Sequence, residues 1–286
     1  MPELPEVETI ARALGPELIG KTILDANVRW ARTVAVPSVR KFKELVKGQV
    51  VTGVSRRAKY LIIQLQPLPE SHGVTYNLMI HLRMSGDLFI RDSKIKPGKH
   101  DHLIFTLASL HSKGKRGAVK ESALVFSDTR KFGRVWLTAN TEAVLGRLGP
   151  EPFGDEFTPQ WLYQNLNSRH RQLKPLLLDQ SFIAGLGNIY TDECLHMAKL
   201  HPLALSNTLK PKHAEALYKA IRAVLEEGIR WNGASIDWAY RGGEYQNHFR
   251  VYDRAGKACP VCGRKIQKLV IGQRGTHICP NCQKLR

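Results

Sequence analysis

Long apolar runs are missing from this 286-residue sequence. No stretch approaches the roughly twenty consecutive apolar residues that cross a bilayer, which argues against a helical membrane protein. The first twenty residues lack the basic start and apolar stretch of a secretory signal and carry Glu3, Glu6, Glu8 and Glu17 instead. Cysteine is scarce: there are five, and only Cys194 lies outside the last 28 residues. A disulfide-stapled extracellular domain is therefore disfavoured, and a soluble, cytoplasmic protein without a membrane partner is expected. Acidic residues are too few to balance the basic ones, 25 Asp and Glu against 43 Lys and Arg, so a formal charge of +18 is spread along the chain. That surplus points to a polyanionic partner. Internal repeats and low-complexity tracts are absent too.

What is present suits a folded protein of two domains, or two domains plus an appended module. The segment from Pro2 to Leu14 has early prolines, acidic residues in its first turn and apolar positions at Val7, Ile10 and Leu14, so a helix is expected almost from the start. From Thr22 to about Leu137, β-rich stretches such as Tyr60 to Leu65, Tyr76 to Leu82, Leu103 to Leu107 and Ala123 to Phe126 alternate with polar turns, as in a β-layer or sandwich. Two exposed loops are expected there, at 66–75 and at 111–121. The second carries Lys113, Lys115, Arg116 and Lys120. The stretch 146–158, rich in proline and glycine, marks the domain boundary, and helices dominate after it. Between His213 and Arg230, Leu217, Ile221, Val224, Leu225 and Ile229 share one helical face.

Cys259 and Cys262, then Cys279 and Cys282, form two C-x-x-C knuckles with sixteen residues between them, a spacing that brings four thiolates onto one tetrahedral metal. Zinc is the natural occupant. Four sulfur ligands leave no open position, so the metal is structural and holds a hairpin whose turn lies at Gly272-Gln273-Arg274-Gly275. Arg274 suits a phosphate contact, and equally a solvated surface position.

Pro2 becomes a secondary amine if Met1 is trimmed. An α-amino group titrates near pH ~8 against ~10.4 for lysine, so more of it is a free nucleophile at neutral pH. Attack on a sugar C1′ would give an iminium, an electron sink that acidifies the C2′ proton and lets phosphates leave. Glu3 and Glu6, beside it, could move the protons. Taken alone, prolines and glutamates at a helix start are as readily capping chemistry.

Pro2-Glu3-Leu4-Pro5-Glu6-Val7-Glu8-Thr9 resembles the opening signature of formamidopyrimidine-DNA glycosylases, and the terminal knuckles resemble that family's zinc finger. Between them, Arg56 to Leu61, His81 to Gly86, Lys99 to His102, Asp128 to Gly133 and Gly185 to Tyr190 match in order, so the resemblance spans essentially the whole chain. It implies an α+β multidomain fold: an N-terminal helix plus β-sandwich (1–145), a linker (146–158), a helical helix-two-turn-helix domain (159–248) and a four-cysteine zinc finger (249–286). It also implies a monomer that excises oxidised purines (8-oxoguanine, formamidopyrimidines) from double-stranded DNA and cuts abasic sites by β,δ-elimination, near the nucleoid.

By the same resemblance Pro2 is the Schiff-base nucleophile, Glu3 the general acid, Lys59 a proton donor near the lesion phosphate, and Arg274 a δ-elimination and phosphate-contact residue. Met84, Arg130 and Phe132 match the triplet that fills the space of an extruded base. His100, Arg169, Lys174 and Asn188 would form a phosphate track, with the glycine turn at 184–188 offering N–H groups at a helix start. The loops at 66–75 and 111–121 are longer than the family pattern, and 235–245 takes the place of its lesion-capping loop. Two alternatives stand beside this reading. An endonuclease VIII type enzyme would share the proline chemistry but prefer oxidised pyrimidines. A noncatalytic zinc-stabilised DNA-binding protein would leave Pro2, Glu3 and Lys59 without a reason.

Overall fold

The computed structural model describes residues 1–68, 73–109, 121–235 and 242–285. The basic stretch 111–120, the middle of the 66–75 loop and most of the loop at 235–245 lie outside them. Two compact units emerge. One holds Met1–Pro2 and Glu6–Gly146; the other holds Glu3–Pro5, Arg147–Ala234 and Gly242–Arg286.

The first helix, α1 (Leu4–Leu18), begins where the prolines and acidic residues place it, and buries Val7, Ile10, Ala11, Leu14 and Leu18. The strands that follow are β1 (Lys21–Val28), β2 (Val34–Val36), β3 (Val50–Arg57), β4 (Tyr60–Gln66), β5 (Tyr76–His81), β6 (Gly86–Asp92), β7 (Asp101–Ser109), β8 (Glu121–Asp128) and β9 (Arg134–Thr138), with helix α2 (Val39–Val46) between β2 and β3. Their order is β2-β9-β5-β4-β3-β1-β7-β8-β6. At the join of β3 and β1 a single pair, Thr22 with Val50, links the two halves. One apolar cluster draws Leu61, Ile63, Leu78, Ile80 and Val135 from one half and Leu103, Phe105, Leu124 and Phe126 from the other. This is the expected sandwich, with alternate side chains turned inward.

The second unit is helical: α3 (Glu142–Leu145) ends the first unit, and α4 (Pro159–Asn167), α5 (Leu173–Leu177), α6 (Asn188–Met197) and α7 (Pro211–Arg230) follow. The face of α7 read from the sequence buries Leu217, Ile221, Val224 and Leu225, while Ile229 is only partly covered. Strands β10 (Gln267–Ile271) and β11 (Arg274–Ile278) form the finger hairpin. Ile271 pairs with Arg274, so Gly272 and Gln273, with φ of +55° and +61°, make a two-residue turn of the type that matches strand twist. Arg274 is thus the first residue of β11 and not part of the turn itself.

Candidate active site and zinc centre

In the second unit the start of the chain is fastened to the start of α6. The Glu3 carboxylate is 2% exposed and accepts two backbone hydrogen bonds, from Gly187 N at 2.6 Å and from Ile189 N at 3.0 Å. Leu4 N donates to Gly185 O at 3.1 Å. Helix starts leave such N–H groups unpaired and favour negative charge, so the carboxylate is held by both effects. Glycine at 187 has a steric cause: a Cβ there would collide with Glu3 Cδ.

The finger hairpin meets the same end of α6. The Gly275 carbonyl accepts from Asn188 Nδ2 and from Lys174 Nζ, each at 3.0 Å. Lys174 is fully buried and paired with Asp192 at 2.6 Å, and the other Asp192 oxygen accepts from His277 N at 2.8 Å. Burial lowers the Lys174 pKa, and Asp192 opposes that shift. Lys174 and Asn188 therefore fix the backbone on which the exposed Arg274 is mounted.

In the first unit, Lys59 lies in the two-residue turn between β3 and β4 yet is only 5% exposed. Close to it, burial first and then the charges of Arg83 and Lys59 push the His81 pKa down to about 3, and its Nδ1 accepts from Arg83 N at 3.0 Å. One buried carboxylate gathers the loops at 82–85 and 129–133: Asp128 accepts from Ser85 Oγ at 2.6 Å, Arg130 N at 3.1 Å and Gly133 N at 2.7 Å. Met84, Arg130 and Phe132 are thereby brought to one end of the sandwich. Phe132 is 48% exposed, and the Arg130 guanidinium lies 4.9 Å from its ring centre. The His100 carbonyl accepts from Asp128 N at 2.9 Å, placing His100 beside the same anchor.

Four non-glycine residues with left-handed backbone stand immediately before candidate residues. They are Ala58 (φ +53°) before Lys59, Arg83 (+56°) before Met84, Lys131 (+61°) before Phe132 and Gln273 (+61°) before Arg274. Backbone strain of this kind concentrates where a side chain must be aimed.

The four cysteine Sγ atoms lie within 4.8 Å of one another. Cys259 and Cys282 are 4.0 Å apart and Cys262 and Cys279 3.4 Å, around the ~3.8 Å that tetrahedral zinc with ~2.3 Å Zn–S bonds requires. Val261 N and Cys282 N point at Cys259 Sγ and Cys279 Sγ, as donors to thiolates do. His196 Nε2 lies 3.4 Å from Cys259 Sγ. The donor set fits one structural zinc in a closed site.

Residues 1–135 match the formamidopyrimidine-DNA glycosylase N-terminal domain, 148–239 that glycosylase's H2TH domain and 256–285 the zinc finger found in FPG and IleRS. A formamidopyrimidine-DNA glycosylase of Pelotomaculum thermopropionicum is 42% identical over the full length of both chains. The chain belongs to the formamidopyrimidine-DNA glycosylase family. Among solved structures, Lactococcus lactis Fpg in complex with abasic-site DNA is 33% identical, with a TM-score of 0.87 over 99% of this chain and 100% of that one. MutM in complex with DNA containing carbocyclic 8-oxo-G is 34% identical, with a TM-score of 0.86 and the same coverage. Membership makes the chain a DNA repair glycosylase.

Set beside the family expectations, the structure gathers Glu3, Asn188 and the finger hairpin in one unit and Met84, Arg130, Phe132 and His100 in the other. Lys174 is a correction: an ammonium buried on Asp192 and Gly275 O is not presented to a phosphate, so its work is to hold the hairpin. The glycine turn differs too, since the N–H groups of Gly187 and Ile189 already serve Glu3. Arg169 is half-buried, and its Nη1 donates to Asn165 O at 2.7 Å, closing the end of α4. Sequence reasoning missed Asp128, Ser85 and Asp192 as anchors. Asp128 opens a matched motif, but nothing in its neighbourhood announces three donors from two loops.

Proposed function

We propose that the chain is a bifunctional glycosylase and abasic-site lyase that excises oxidised purines from duplex DNA and works as a monomer near the nucleoid. The observation that carries this reading is the Glu3 carboxylate, buried and aimed by two N–H donors, covalently next to Pro2. With Met1 removed, the Pro2 nitrogen attacks C1′, the C1′–base bond breaks and the base leaves with a proton. Glu3 is the acid of that step: its carboxylate takes the proton that the Pro2 nitrogen gives up and passes it to the sugar ring oxygen as the ring opens to the iminium, while the departing base takes its proton from water. Loss of the C2′ proton then expels the 3′ phosphate, and a second elimination expels the 5′ phosphate, with Lys59 and Arg274 as the proposed proton and phosphate partners. A secondary amine suits this sequence because its iminium stays cationic without an added proton.

Met84 and Phe132 would fill the space of the extruded base, and Arg130 would hydrogen-bond the orphaned partner. His100, Arg169 and Asn188 are the proposed phosphate contacts. The divisions 1–145, 146–158, 159–248 and 249–286 are the proposed functional modules. The test is product analysis on end-labelled duplexes carrying 8-oxoguanine opposite cytosine, with an oxidised pyrimidine in parallel. The proposal expects a one-nucleotide gap flanked by phosphates on the purine substrate. Cleavage of the pyrimidine substrate alone would assign the sister specificity, and cleavage of neither would leave a DNA-binding role.

A further inference from the structure

A cavity of about 740 Å³ opens beside the zinc knuckles, and nothing in the glycosylase reading uses it. Four lysines line it, Lys199, Lys210, Lys212 and Lys284, together with His201 and His213. No Asp or Glu is among its described lining residues. The four lysines come from three separate stretches of chain, so folding and not a run of basic sequence brings them to one cavity. The cavity lies at the far end of α6 from the Glu3 anchor: ten residues at ~1.5 Å per residue separate the two ends by about 15 Å.

Three further features point to an anion. His201 is 9% exposed, and its Nδ1 accepts from Leu203 N at 3.1 Å. Burial lowers its pKa, and with Nδ1 engaged Nε2 is the ring nitrogen left to meet a ligand from this lining residue. The twenty-residue helix α7 starts at Pro211, between the lining residues Lys210 and Lys212, with the positive end of its dipole there. Lys199 stands in a left-handed conformation (φ +56°) at the end of α6. There Lys199 N donates to His196 O and Leu200 N to Leu195 O, a helix-ending motif whose usual residue at that position is glycine. A lysine in the place that glycine fills without strain puts a cation on the cavity at a cost to the fold. Zinc held by four thiolates carries about two net negative charges, so four ammonium groups exceed what neutralising the metal site requires.

We propose that this cavity binds a compact anion bearing two or more phosphate charges, at a site separate from the glycosylase centre. Leu200, Leu209 and Val261 add apolar lining against which a base could lie, so nucleotides and inorganic polyphosphates share the chemistry. A duplex presents its phosphates along a line and is met by extended surfaces, whereas these four lysines line a concavity.

The test is calorimetric titration of zinc-loaded, full-length protein with pyrophosphate and with ADP at 0.15 M salt, on the natural sequence and on Lys199→Gly and Lys212→Gln. The expected result is one saturable site that each substitution weakens at least about tenfold. Lys199→Gly should at the same time raise the unfolding temperature by about 2–4 °C, so lost binding cannot be lost folding. Tighter binding of ADP would assign the site to nucleotides, and equal binding to inorganic phosphates. No saturable binding, or binding that Lys199→Gly leaves unchanged and duplex DNA displaces, would overturn the proposal.

Discussion

Glycine at position 187 is where a single hydrogen atom in place of a methyl group decides the chemistry. A Cβ there would press into the Glu3 carboxylate, so Gly187→Ala should displace Glu3 by a few tenths of an ångström or more. The expected outcome is base excision slowed about 100-fold, with about 1–3 kcal/mol of lost stability in urea unfolding. His81 gives a second prediction. Its folded pKa of about 3 lies below the unfolded value, so the unfolded state takes up a proton that the folded state refuses. Its contribution to stability is therefore complete above pH ~6.5 and is lost as the pH falls toward 3. His81→Asn keeps an acceptor for Arg83 N and removes the titration. Urea unfolding from pH 7 to 4 should show the natural protein losing on the order of 2–3 kcal/mol more than the variant. The four cysteines were legible because they form a short local pattern. The roles of Lys174 and Asn188 were not, because their partner, the Gly275 carbonyl, lies 101 and 87 positions away.

At the scale of elements, β4, β5, β7 and β8 lie where β-rich stretches between polar turns placed them, and α7 where its apolar face placed it. The loops between them are ordered by anchors that periodicity does not encode. Asp128 is the clearest case, since its carboxylate holds Ser85, Arg130 and Gly133 at once. Asp128→Ala leaves three donors without their acceptor and should cost about 2–5 kcal/mol. The loops of Met84, Arg130 and Phe132 would then separate, and discrimination between lesion-containing and undamaged duplex, measured by competition binding, should fall at least about tenfold.

Across the whole molecule, the charge of +18 and the paired knuckles indicated a polyanion-binding, zinc-stabilised protein, while the two-unit division assigns Glu3 and Pro2 to different units. That last feature was not legible, because it depends on Leu4 packing in the second unit's core while Val7 packs in the first. The finger's apolar centre is small, drawn from Val251, Cys259, Ile266 and Cys279, so the metal supplies much of its folding energy. Chelation that removes one zinc per chain should release the hairpin, unmounting Arg274, and abolish specific DNA binding; zinc addition should restore it. The most direct test of the central claim is borohydride trapping on 8-oxoguanine duplex with peptide mapping. The account predicts a covalent adduct on the Pro2 nitrogen of protein lacking Met1, and none when Met1 is retained. An adduct on a lysine, or no adduct from an active Met1-free protein, would contradict it.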